Sequence, residues 1–315
     1  ASGGAVPLNA PDAVFAGFIQ TSLPAATATS IVSYLIDPQT IRSNNIPSAF
    51  PNFQYPSILN PAPSVSALLR LTNFPSTANG AWFNNVPISS VNEDYANGVI
   101  HKIAFMVTPP QRYLWDRINT DNQLTYLKAA ILRADSGATS TNSLVGFLQN
   151  IGANFTVFAP TDAAFQATIT AVAYQTLINL GVPPATALVQ AQALASSPTV
   201  FSNPALFGVL TAQTVKGIVV YHILGSRAFT NNFPTTATAV PTLLNGVLTT
   251  HPGLTLTATF SNPFVASATV KGVANATAAN VIINASPLTP DPAGTSDQHY
   301  LNGTLHKIDQ VLLPQ

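Results

Sequence analysis

Five histidines and eleven carboxylates carry any acid, base or metal chemistry available to this chain, because cysteine is absent. Two of the histidines, His101 and His306, stand in nearly the same phrase, YANGVIHKI from Tyr95 and YLNGTLHKI from Tyr300. Their recurrence in one phrase invites a catalytic reading. Each, however, sits between apolar positions of a strand-like run, where an imidazole is expected to be hydrogen-bonded inside a sheet. Tyr221 and His222 close a helix-like run, where an imidazole bonds terminal carbonyls and meets the negative end of the helix dipole. Asp162, like Asp12, opens a helix-like run and is expected as a structural cap. Asn97-Gly98 and Asn302-Gly303 are expected as turns with positive φ that start a final strand. Asp291, Asp297 and His299 gather in one loop, but their spacing matches no metal-ligand pattern, and a solvated loop is expected. The chain has no GxSxG, HExxH or phosphate-cradling glycine loop, and its only glutamate is Glu93. With neither a nucleophile elbow nor a carboxylate pair, no catalytic residue, metal ligand or cofactor is assigned.

The elements that must position these residues are repeated. LPAATATSIVSYLI (from Leu23) aligns with LTAQTVKGIVVYHI (from Leu210), NNIPS at Asn44 answers NNFPT at Asn231, and NAPDAVF answers APTDAAF so that Asp12 pairs with Asp162. With the closing phrases these make four landmarks in one order, the pattern of a tandem duplication. Pro109-Pro110 follows the first closing phrase and is expected as the boundary, giving domains 1–108 and 109–315. The first lacks the opening helices that precede Asp162 in the second.

Beyond the boundary, QLTYLKAAILRAD is expected as a helix capped by Asp121, with Leu124, Leu127, Ile131 and Leu132 on one face and Gly137 as its stop. NSLVGFLQN suggests a short helix, and NFTVFAP a strand with Phe155, Val157 and Ala159 on one side. From about Thr236 the character changes to strand-length runs: TLLNGVLTTH, LTLTATF, ASATVKGV, ANVIINA and GTLHKIDQVLL. Helices followed by strands indicate an α+β fold with a β-sandwich.

Composition narrows the function. Only 7% of residues are charged, against about 25% in an ordinary soluble chain. Eleven basic residues balance eleven acidic ones, and no basic run of the kind that grips nucleic acid is present. No apolar run approaches the roughly 20 residues of a membrane-spanning helix. Low charge with abundant Thr and Asn suits an exported or cell-surface protein.

Together these landmarks resemble the fasciclin-like (FAS1) domain. FTVFAPTDAAF (Phe155 to Phe165) looks like its first motif, VVYHIL with Tyr221 and His222 like its Tyr-His motif, and LNGTLHKIDQVLLP with Asn302, Gly303, His306, Ile308 and Asp309 like its second. The resemblance covers residues 111–315 fully and 5–108 as a domain without its head. The first copy departs at Leu35, in the place of the motif histidine, and at Ala104, in the place of Asp309. The resemblance implies tandem wedge-shaped β-sandwiches with helices packed at one side. It also implies a non-catalytic extracellular adhesion or ligand-binding role, with a surface or matrix protein or a glycan as partner. A bacterial surface or secreted member is expected, with lipid anchoring through a removed N-terminal segment as one route to the surface. The Asp-Ile pair associated with integrin binding in some animal members is not reproduced, since Asn92-Glu93 and Asp297-Gln298 stand there. A carbohydrate-binding surface protein is the rival reading, with FPNFQYPS and GAWFNNVP as stacking faces. An unrecognised hydrolase is the weaker one.

Overall fold

The computed structural model describes residue 6 and residues 10–139, 142–261, 264–284 and 293–315. Helices α1 (Asp12–Ser22) and α2 (Ala25–Tyr34) come first. Pro11 and Pro24 stand directly before them, where a missing N–H removes no helical hydrogen bond. β1 (Tyr55–Pro56) pairs with β2 (Thr72–Asn73). β3 (Pro75–Ser76), β4 (Trp82–Phe83), β5 (Val86–Tyr95) and β6 (Gly98–Ile103) then form an antiparallel meander in chain order. Residues 104–113, Pro109 and Pro110 among them, form no helix or strand.

The rest of the chain begins with α3 (Leu114–Thr120), α4 (Thr125–Ala134) and α5 (Leu144–Phe147), followed by β7 (Phe155–Pro160). The long hairpin of α6 (Asp162–Asn179) and α7 (Pro184–Ala195) comes next, then α8 (Ala212–Tyr221) and β8 (Ile223–Leu224). The chain then runs through β9 (Thr238–Val240), β10 (Leu254–Ser261), β11 (Phe264–Lys271) and β12 (Ala279–Asn280). It closes with β13 (Gln298–Tyr300) and β14 (Gly303–Ile308). Two four-stranded sheets result, in the orders β12-β11-β10-β9 and β13-β14-β7-β8.

β14 lies parallel to β7, from Gly303 opposite Phe155 to Ile308 opposite Pro160. Alternation sends Val157, Ala159 and Leu305 into a core with α3, α4 and α8. Phe158 and Ile308 enter a second core with Leu254, Leu256 and Val270 of the other sheet. The order is helices, sheet, sheet, an α+β architecture. Phe155, Val157 and Ala159 do share a side, but Thr156 and Phe158 are as buried as Val157 and Ala159, as expected of a parallel strand covered on both faces.

Several local expectations need correction. Asp121 does not cap α4; the residue before that helix is Leu124, and it caps nothing through its side chain. Leu132 is exposed while Leu124, Leu127 and Ile131 are buried, because the core contacts rotate toward Ala130 and Ala134. Gly137 does adopt positive φ, at 83°. TLLNGVLTTH is not a strand: Thr242 and Asn245 close a capping box on a short 3-10 turn over Leu243–Gly246. Local side-chain bonds to backbone outcompete a ladder there.

Candidate binding site

Each motif residue is held by a specific partner. His222 follows α8 and is 2% exposed. Its Nε2 accepts from the Leu312 N–H at 2.9 Å, so the proton is on Nδ1, which donates to the Ile218 carbonyl at 2.8 Å. Burial drives its pKa down from 6.5 to about 4, and the Ile218 bond only partly opposes this. The Tyr221 hydroxyl donates to the Gly253 carbonyl at 2.7 Å and accepts from the Val273 N–H at 3.0 Å. Burial raises its pKa.

His306 lies between the sheets, its ring 5.8 Å from Phe158 and 5.7 Å from Phe233. Nδ1 accepts from the Asp297 N–H at 3.1 Å and Nε2–H donates to the Ala228 carbonyl at 3.0 Å. Burial again favours the neutral ring, with Asp297 and the Ala228 bond pulling the other way. His101 bonds the Ile41 carbonyl through Nε2 at 2.8 Å. Both rings are hydrogen-bonded to main-chain groups, as their place in strands leads one to expect, His306 through both nitrogens and His101 through Nε2.

The two repeated phrases build the same hairpin. Tyr95 pairs with Gly98 and Tyr300 with Gly303, each across a two-residue loop. The expected positive φ is absent at Asn97, Gly98, Asn302 and Gly303. The turn lies one residue earlier, and the glycine is the first strand residue. Gly303 is required by close approach, since a Cβ there would meet Leu114 Cδ1 and the Phe155 carbonyl oxygen, each at 2.5 Å. Asn302 is fully buried; it accepts from the Leu114 N–H at 3.0 Å and donates to the Leu148 carbonyl at 2.8 Å.

Asp162 is a cap for a different helix from the one it opens. Thr161 caps α6 through the Ala164 N–H, while the Asp162 carboxylate reaches α4, accepting from Thr125 Oγ1 at 2.6 Å and the Tyr126 N–H at 3.0 Å. Asp309 clips β12 by accepting from both nitrogens of Asn280, each at 2.7 Å. These residues therefore do not converge on one cleft. Among the described residues no group of three His, Cys, Asp or Glu could hold a metal ion, and Asp291 lies outside the described residues.

Two clusters escaped the sequence reading. One is a buried ionic centre: Asp121 Oδ2 lies 2.8 Å from Arg117 and 2.7 Å from Lys307. Burial resists ionisation of Asp121, but Lys307, the Gln123 amide and Arg117 outweigh it and hold its pKa below the ordinary value. The other is a cavity of about 280 Å³ between the meander and the two-sheet core. Trp82, Asn231 and Asp297 help to line it. These clusters are assembled from segments over a hundred residues apart, so no local pattern announces them.

The class of fold is a helix-backed double sheet whose polar motif residues are engaged in holding its own elements together. The fasciclin domain model matches residues 132–314, more than half of the chain, and the chain belongs to that family. Fasciclin domains are generally non-enzymatic modules of extracellular, adhesion-type proteins. Among solved structures, a FAS1 domain pair from the insect cell adhesion molecule fasciclin I is similar over 95% of this chain and 85% of that one, at 13% identity and a TM-score of 0.39. No curated protein matches the chain. No helix among the described residues is long and apolar enough to cross a membrane.

Proposed function

We propose that the chain is a non-catalytic extracellular adhesion or ligand-binding protein made of two tandem fasciclin domains, residues 1–108 and 109–315. The observation that carries this reading is the engagement of both rings and both nitrogens of His222 and His306 inside the fold. Among the described residues, neither imidazole is hydrogen-bonded to a nucleophilic side chain, and neither has a lone pair left to act as a base. The division into two domains rests on shared elements: Asp12 and Asp162 open helices, Asn44 and Asn231 lie in 3-10 turns, and the repeated phrases form one hairpin type.

A second feature supports a surface role. Between Asp162 and Lys216 no side chain is charged, and the α6–α7 hairpin within that stretch exposes Val172, Leu180 and Val189. Surface-protein or matrix partners suit such a face better than nucleic acid does. The test is an attachment assay on immobilised protein together with a panel of ester, peptide and glycoside substrates. Attachment without turnover is expected. Turnover that disappears in His222→Gln while the fold survives would overturn the reading.

A further inference from the structure

The cavity between the meander and the two-sheet core is walled by elements remote in sequence: Trp82 of β4, Thr230 and Asn231 of the 3-10 turn after β8, Phe264 at the start of β11, and Asp297 before β13. We propose that it binds one neutral pyranose residue, as a free sugar or the end of a glycan. The proposal deepens the binding reading above and rests on it.

Hydrogen-bonding capacity comes first. Asn231 is 2% exposed, its amide nitrogen donates to the Asn84 carbonyl at 3.2 Å, and its Oδ1 is buried without a partner among the described residues. A buried carbonyl in that state lowers stability until a donor reaches it. Asp297 is held at φ 52°, with Oδ1 accepting the Thr230 N–H at 2.7 Å and Oδ2 the Thr230 hydroxyl at 2.6 Å. Each carboxylate oxygen keeps acceptor capacity beyond these bonds. His306, 3.9 Å away, presents an accepting Nδ1 to the Asp297 N–H, so the neutral ring gives the carboxylate no counter-charge. Two residues that line the cavity, Asn231 and Asp297, thus keep acceptor capacity, which asks for a ligand with more than one donor.

Shape and polarity select among such ligands. Phe264 is 43% exposed, and Val265 and Ile283 continue an apolar wall toward Trp82. A ring with hydroxyls around its edge and C–H groups on its face satisfies both kinds of wall. An anion would meet Asp297 with no lysine or arginine among the described residues that line the cavity. An alkylammonium concentrates its donors at one point and cannot serve Asp297 and Asn231 while covering the apolar wall. The volume of about 280 Å³ lies at the small end of ligand pockets, which fits one sugar ring.

The chain has two tryptophans, and Trp115 belongs to the helical core, so a Trp115→Phe background leaves Trp82 as a reporter. Neutral hexoses, N-acetylhexosamines, the same sugars on a carrier protein, and an alkylammonium would be titrated by fluorescence and calorimetry. At least one neutral sugar is expected to bind in the millimolar range, weakened at least fivefold by Phe264→Ala, whose thermal midpoint should be unchanged because the side chain is exposed. Failure of every neutral sugar, binding of the ammonium alone, or sugar binding indifferent to Phe264→Ala overturns the site. Cell attachment persisting in that event leaves the adhesion reading intact and defeats only this cavity.

Discussion

His222 and His306 are fixed in opposite tautomers, the first protonated on Nδ1 and the second on Nε2, because different backbone N–H groups claim the other nitrogen. Removing the His222 ring strands the Leu312 N–H and the Ile218 carbonyl in the core. His222→Ala is therefore expected to lower stability by about 2–4 kcal/mol, read as a shift in the urea midpoint; an unchanged midpoint would contradict the structural role. A paired test concerns the repeated glycines. A Cβ at Gly303 meets atoms at 2.5 Å, whereas at Gly98 nothing lies within 4 Å. Gly303→Ala should destabilise by about 1–3 kcal/mol through overpacking, and Gly98→Ala should stay within about 0.5 kcal/mol of the parent. The sequence marked both glycines as turn residues of equal standing. It could not show that only one of them sits under Leu114, since that contact joins positions almost two hundred residues apart.

Elements were legible where periodicity and local capping decide, and illegible where a distant segment intervenes. β7, α4, α8 and β14 follow from their apolar patterns, and Thr161 or Asp162 at the head of α6 follows from its place between strand and helix. That the Asp162 carboxylate stabilises the first turn of α4 has no local signal, because the acceptor and the Tyr126 N–H lie 36 residues apart. Asp162→Ala should therefore loosen α4 at least as much as α6. A loss of about 1 kcal/mol is expected, with faster amide exchange in the first turn of α4 than in that of α6; protection lost only in α6 would refute the assignment. TLLNGVLTTH shows the opposite failure: its apolar residues suit a strand, but Thr242 and Asn245 bind their own backbone and turn it. The repeated phrase likewise differs between its copies by neighbours. Lys307 is 2% exposed and 2.7 Å from Asp121, while Lys102 faces solvent beside Glu93 at 2.8 Å.

At the scale of the whole molecule, the meander and α2 are joined to the two-sheet core through groups sensitive to acid. His299 accepts a hydrogen bond from Arg227 through Nε2, and Tyr34 lies 3.5 Å from its Nδ1. The rings of Phe74 and Phe229 pack edge-on against it, 6.2 and 5.6 Å away. Arg227 is 3% exposed and has no carboxylate partner among the described ion pairs; its Nη atoms donate to the Tyr300 and Leu301 carbonyls, and its guanidinium lies 4.9 Å from the Phe74 ring. Burial, then the Arg227 charge, holds the His299 pKa well below 6.5. A histidine with a depressed folded-state pKa contributes stability that is complete above 6.5 and is lost as the pH falls toward the folded value, because the unfolded chain takes up the proton first. His222 and His306 act in the same direction. Asp37 acts against them: burial raises its pKa to about 6 despite a bond from Asn73, so the folded state takes up that proton more readily as the pH falls below 6. Three histidines against one carboxylate leave a net loss in acid. Stability should fall between pH 6.5 and 4.5, each histidine contributing at most about 1.4 kcal/mol per pH unit. His299→Gln can still accept from Arg227 through its amide oxygen without titrating, so denaturation curves across that range should show a shallower pH dependence than the parent. An unchanged slope would mean that the Arg227–His299 contact does not couple the two parts of the chain to protonation, and that the fall in acid comes from His222 and His306 within the two-sheet core alone.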